Sequence, residues 1–371
     1  MQGDAGLITF GNLKSIALLS AVLLSGSLLP LQGSRAQDLS PAEKIYADLA
    51  KLPLEERMKR LEDGARREGK FILAHTLRGD LGAGHIDLFK KRYPFLKVEA
   101  TSDIGSQDAA ERLYAEETSG RHLTDVISIS VADGVEIMRK NYVARYPTSS
   151  AAKINANLQK FGDPDGRWLL FFWSEHAISY NSSMVPPDKA PKDWFDLCNP
   201  FFKGSVSFDP AEVRFITGIY NIMGEEKAIK WFECIGANNP IIQRGHTQRI
   251  ELMLAGDHMV QGDNYLYHGL TMKRKNPSAP YAIVLDTPII AGMGASFVNR
   301  NAPNPHAAAL WMEWSVTEES QTYLATQLRG PVTLPHPYLP DTVKLVENTD
   351  PPKEVADRLM AAWMKLVEKK R

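Results

Sequence analysis

From residue 70 to residue 142 the hydrophobic period switches repeatedly, and this alternation most constrains the fold. "KFILAHT" reads as a strand and "GHIDLFKKRYP" as a helix; "LKVEATS" and "SQDAAERLYAEETSG" repeat the pair, as do "TDVISIS" and "ADGVEIMRKNY". Consecutive β-α units of this kind predict a mainly parallel sheet covered by helices, with right-handed connections. The glycine-rich loop inside the first unit, "HTLRGDLGAGHIDLF", lacks the spacing of a dinucleotide fingerprint and has no P-loop lysine. It reads as a β-α junction whose glycines admit close backbone approach.

Further along, "LLFFWSEHAISYNSS" is long and apolar, as a strand crossing between two blocks would be. A second α/β block follows, from about residue 180 to residue 286. Then come another strand within "IIAGMGASFVNR", a turn with Pro303 and Pro305, and an amphipathic helix. The expected fold class is α/β: two lobes, each a mainly parallel sheet flanked by helices, joined by crossing strands. The expected division is a signal peptide over 1–36, a helical arm over 37–65, lobe one over 66–177 and 287–371, and lobe two over 178–286. Part of the C-terminal helical region is allowed to pack on lobe two. In the arm, Ser40, Pro41 and Glu43 make a helix start and Pro53 breaks the helix.

The N-terminus has its own character. "SIALLSAVLLSGSLLPLQ" follows Lys14 and leads to Ser34 and Ala36, small residues at the −3 and −1 positions before Gln37. This is the anatomy of a secretory signal cleaved near Ala36, and it implies an exported, periplasmic protein. Serines, a glycine and Pro30 interrupt the run, which argues against a membrane anchor. The two cysteines, Cys198 and Cys234, are then expected to pair, with buried thiols as the alternative. A net charge of −1 offers no basic face for nucleic acid. No C-x-x-C, H-E-x-x-H, G-x-S-x-G or kinase signature occurs, so no cofactor, resident metal or catalytic centre is expected.

The order of elements, with five stretches along it, resembles the solute-binding proteins of ABC importers in their two-lobed class with crossing strands. The stretches are "EGKFILAHT", "FKKRYPFLKVEA", "LTDVISIS", "GRWLLFFWSEHAISYNSSMVP" running on to "APKDWFDLCNPFFKG", and "ASFVNRNAPNPHAAALWMEWSVTEESQ". They cover nearly all of residues 66–330. The resemblance implies a monomeric receptor that closes on a small solute and delivers it to an inner-membrane permease, with no chemistry of its own. The nearest branch includes iron(III) binders, which use two adjacent tyrosines. The matching stretch here, "QGDNYLYHG", separates Tyr265 from Tyr267 by a leucine. An iron receptor is therefore the alternative, and an exported enzyme on this fold the more distant one.

In such a protein the ligand lies at the C-terminal ends of strands and the N-termini of helices, where free N–H groups favour anions. Four junctions fit: residues 76–84, 128–133, 209–214 and 244–247. They supply Thr76, Arg78, Ser130, Arg214 and Arg244 as candidate contacts. Arginine forms bidentate bonds to carboxylate or phosphate, so an anionic or zwitterionic organic solute is expected. Arg214 sits in a helix's first turn, where a cation needs a negative neighbour; Glu212 is the expected one. Trp173 and Glu175 are expected on the cleft floor, Tyr265 and Tyr267 on the lobe-two wall, and Asp263 as receiver of an amine. His75, His85, His176, His246 and His268 could gather near the cleft.

Overall fold

A computed structural model describes residues 39–347 and 349–368. The expected signal peptide and its cleavage point at Ala36 lie outside the described residues. Among the described residues no helix is long and apolar enough to cross a membrane.

The arm forms two helices, Pro41–Leu49 and Leu54–Glu68, with Pro53 between them. Ser40 and Glu43 close a capping box at the first. The second is tied down by its last residue. Glu68 accepts from the backbone N–H groups of His306 (3.0 Å) and Ala307 (2.9 Å) and contacts His306 Nδ1 at 2.7 Å. It thereby caps the helix Pro305–Ser315, whose own N-cap residue Asn304 makes no side-chain cap bond. The helices meet closely: a Cβ on Gly64 would lie 2.2 Å from the His306 ring. Glu68→Ala is expected to lower stability by about 2 kcal/mol, a lost cap plus a lost charged acceptor. Urea unfolding followed by circular dichroism checks this, and Glu68→Gln should lose less.

Among the described residues ten strands form one sheet: β1 Lys70–His75, β2 Lys97–Thr101, β3 Val126–Ser130, β4 Leu169–Asn181, β5 Val206–Phe208, β6 Ile241–Ile242, β7 Val260–Tyr265, β8 Tyr281–Ile283, β9 Ile289–Val298 and β10 Leu345–Glu347. The order is β2-β1-β3-β9-β4-β7-β5-β6, with β8 beside β4 and β10 beside β9. The outer pairs β1–β2, β1–β3, β5–β7 and β5–β6 are parallel. The long central strands β4 and β9 run antiparallel to each other and to β7 and β3. Each crossing strand therefore serves both halves: β9 pairs with β3 through residues 294–298 and with β10 through residues 289–291. Gly294, on β9, is required by close approach, since a Cβ there would lie 1.9 Å from the Phe172 ring.

Burial explains why these strands read as continuous apolar runs: helices cover both faces. One core surrounds β1, β3 and β9 and extends past the crossing strands to Ile250, Met253, Leu266 and Leu270. A second core holds Trp194, Phe208, Phe215 and Trp231. The C-terminal helix Lys353–Glu368 buries Leu359, Trp363 and Leu366 in this second core, and Trp363 Nε1 donates to the Pro210 carbonyl. Cys198 and Cys234 are joined in a disulfide, their Cα atoms 5.6 Å apart, which ties the edge of this core to the helix Glu225–Ala237.

Candidate functional site

The site is built where β4 meets β7. His176 and Tyr265 are register partners on these neighbouring strands, and their rings meet edge to face, 3.8 Å between centroids. Tyr265 is the last residue of β7 and the N-cap position of the helix Leu266–Lys275, so Tyr267 lies in that helix's first turn. The strand therefore ends between the two tyrosines. The turn into the helix still brings the rings to 5.6 Å. His246 opens the helix His246–Ala255, 5.0 Å from Tyr265, and His268 lies 4.2 Å from Tyr267. Of the five histidines expected together, His176, His246 and His268 meet here. His75 and His85 are buried elsewhere, against Phe171, Trp311 and each other.

Charged groups surround this aromatic patch in matched pairs. Arg249 donates to Asp263 Oδ1 at 2.6 Å and to its carbonyl at 3.0 Å, both residues fully buried. Asp263 Oδ2 accepts from the Asp209 N–H. Asp263 is therefore not the amine receiver expected of it: its carboxylate is held by Arg249 and a backbone amide. Burial pushes Asp263 up to about 6, with Arg249 pulling it back, which leaves it ionised at neutral pH. Arg249 Nη2 also donates to His246 Nδ1 at 3.0 Å. That assigns the hydrogen to Nε2, which faces Glu212 at 3.3 Å. Burial raises Glu212, but the His246 bond and the positive groups around it hold its carboxyl below the usual value.

Arg214 forms its ion pair with Asp133, while Glu212, the expected negative neighbour, attracts it without pairing. Asp133 belongs to the helix Val131–Arg139 after β3, and Arg214 to the helix Val213–Met223 after β5, so the pair joins the two halves of the sheet. Ser130 caps the first of these helices and donates to Asp133 at 2.6 Å, fixing the carboxylate that takes Arg214. A second contact between the halves is Arg329, which follows the helix Glu318–Thr326 and lies 3.4 Å above the Tyr267 ring.

Thr76, Arg78, Arg244, Trp173 and Glu175 complete the candidates. Thr76 is half-buried and donates to the Ser128 carbonyl at 2.9 Å. Arg78 and Arg244 are exposed. Trp173 and Glu175 do not form a floor beside His176. Neighbours on a strand point to opposite faces; with His176 against Tyr265, both turn toward the 330–336 segment. Trp173 donates to the Pro331 carbonyl at 3.2 Å, and Glu175 meets His336 Nε2 at 2.8 Å. Arg329 was missed because an arginine between a helix and "GP" carries no local signal of a tyrosine far back in the chain.

Titration is set by burial. The hydroxyls of Tyr265 and Tyr267 are pushed above their ordinary value, with Arg329 opposing in both. Burial lowers His176 to about 4 and His268 to about 3. At neutral pH the patch offers neutral imidazoles and protonated phenols, suited to hydrogen-bonding a polar solute. Among the described residues no group of three or more His, Cys, Asp or Glu side chains is placed to hold a metal ion.

Residues 125–355 match the model of the bacterial extracellular solute-binding protein family. The chain belongs to that family. Solved structures share its fold. Iron-bound HitA from Pseudomonas aeruginosa superposes with a TM-score of 0.63 at 15% identity, over 80% of this chain and 99% of that one. IdiA (FutA) from Trichodesmium, in complex with iron and citrate, gives 0.63 at 20% identity, over 81% and 99%. AfuA from Actinobacillus pleuropneumoniae, with fructose-6-phosphate bound, gives 0.62 at 16% identity, over 81% and 99%. No curated protein matches the sequence. The solute-binding protein thus has the two-lobed α/β fold of periplasmic binding proteins.

Proposed function

We propose that this receptor is exported to the periplasm by its residues 1–36 and acts there as a monomer. It closes lobe one (66–177, with 287 onward up to the last helix) against lobe two (178–286, with the last helix). The solute held between them is a small anionic or zwitterionic organic molecule, passed to an inner-membrane permease without chemical change. One observation carries this reading: polar groups from both halves of the sheet converge on the His176–Tyr265 pair, with Arg214 of one half paired to Asp133 of the other. Hinge receptors gain affinity from ligand contacts made by both lobes at once. Mass spectrometry of what leaves the protein on gentle denaturation tests it. An intact organic anion is expected, and a molecule the protein goes on to transform would replace the receptor with an enzyme.

A second reading, a ferric receptor, is favoured by the 5.6 Å approach of Tyr265 and Tyr267. Hard ferric iron would need these phenols ionised, against the burial that keeps them protonated. Titration with ferric citrate decides it: a visible tyrosinate-to-iron band supports iron, and a colourless protein removes it.

A further inference from the structure

The receptor reading leaves open which group takes the solute's charge, and the pairing of the arginines narrows it. Three arginines stand around the two tyrosines. Arg249 is committed to Asp263, and Arg214 to Asp133. Arg329 differs: among the described residues no carboxylate forms an ion pair with it. Its Nη1 is buried without a hydrogen-bond partner, as is Nε of the otherwise paired Arg249. The nearby Glu175 is occupied by His336. A buried guanidinium N–H without an acceptor is costly, and native structures rarely leave one without a reason. His176 Nδ1, beside Tyr265, is also buried and unpartnered. Three such atoms, Arg329 Nη1, His176 Nδ1 and Arg249 Nε, thus lie around one aromatic patch.

We infer that Arg329 is the anion-binding group of the cleft, and that the solute presents an oxyanion, carboxylate or phosphate, to it. This rests on the receptor reading above. The Tyr267 ring beneath the guanidinium holds its plane by a cation–π contact. A planar fork fixed in this way is pre-organised for a bidentate oxyanion. The contact also couples recognition to closure. The helix before Arg329 packs on the first half of the sheet, where Tyr323 donates to the Leu81 carbonyl and Leu324 meets Leu77, whereas Tyr267 belongs to the second. An anion on Arg329 is then enclosed only when the halves are together.

The test is thermal unfolding of the full chain titrated with inorganic phosphate and with citrate, against chloride at matched ionic strength. The wild type is expected to be stabilised by at least one of the two, and which one separates a phosphate from a carboxylate solute. Arg329→Gln should require roughly ten- to hundredfold more of that anion, the loss of one bidentate charged contact. Arg329→Lys, which keeps the charge and loses the fork, should fall between; it carries the test if Arg329→Gln does not fold. An unchanged response in both variants overturns the assignment, and so does a wild type that neither oxyanion stabilises. In that last case, compaction by an uncharged or cationic solute leaves the receptor reading standing and removes only the role of Arg329. Failure to compact with any solute removes both.

Discussion

Asp263→Ala is expected to destabilise the protein by roughly 3–5 kcal/mol, the range for breaking a buried ion pair from one side. The cause is the charge left behind. Arg249 is fully buried, donates to the Asp263 carboxylate at 2.6 Å, and has no other carboxylate within ion-pair distance among the described residues. The Asp209 N–H would lose its acceptor as well. Removing both charges, as in Arg249→Met with Asp263→Leu, should cost much less than the single change, because two apolar side chains of similar volume need no partner. Urea unfolding of the wild type, Asp263→Leu, Arg249→Met and the double variant measures the coupling. A single-variant loss under about 1 kcal/mol, the level of an exposed pair, would contradict the buried arrangement. The same variant should weaken solute binding, since Arg249 also orients His246.

The second large effect is with pH. His75 and His85 lie in a closed hydrogen-bond chain. The Leu77 N–H donates to His75 Nδ1 (3.1 Å), His75 Nε2 meets His85 Nδ1 (3.2 Å), His85 Nε2 meets Ser320 Oγ (2.8 Å), and Ser320 donates to the Ser315 carbonyl (2.9 Å). With every hydrogen assigned, neither ring has a place for a second proton. Burial lowers His75 to about 3 and drives His85 well below its ordinary value. Folded, both stay neutral; unfolded, both take up protons as the pH falls through about 6.5. Stability is therefore complete above that pH and is lost on acidification, by about 1.4 kcal/mol per pH unit for each histidine. From pH 6.5 to 4.5 the pair accounts for roughly 5 kcal/mol. Asp125 and Asp263, raised to about 6, and Glu347, raised to about 7, work in the opposite direction as they protonate first in the folded state. The comparison is accordingly with His75→Asn/His85→Gln, which keeps polar contacts but does not titrate. Its stability should fall with acid about two protons less steeply, and parallel curves would contradict neutral, buried histidines.

Some of this was legible in the chain because local pattern reports local structure. The β-α alternation fixed the first three strands, and the long apolar runs marked β4 and β9, which are covered on both faces. The "TDV" and "APNP" stretches have a physical reason to occur together. Asp125 accepts from Asn304 N–H and Nδ2 and from the Ile72 N–H, binding three elements at one carboxylate. The site was less legible because it depends on phase and distant partners. Which face of β4 carries Trp173 and Glu175 was not legible, because the facing of a strand buried on both faces cannot be read from its pattern. The end of β7 was hidden because Tyr265 caps the next helix without a side-chain bond, so no Ser, Asp or Asn marks the boundary. Arg214 found Asp133 across the fold, where sequence proximity had pointed to Glu212.

The central claim is that this family member captures its solute by bringing two lobes together over the Tyr265–Tyr267 patch. Small-angle X-ray scattering of the purified protein tests it most directly, with ligand first removed by denaturation and refolding, then with a pool of small molecules added back. A fall in the radius of gyration that reverses on dialysis, with the bound molecule recovered unchanged, is the predicted result. A particle whose dimensions stay the same with every solute in the pool would contradict it.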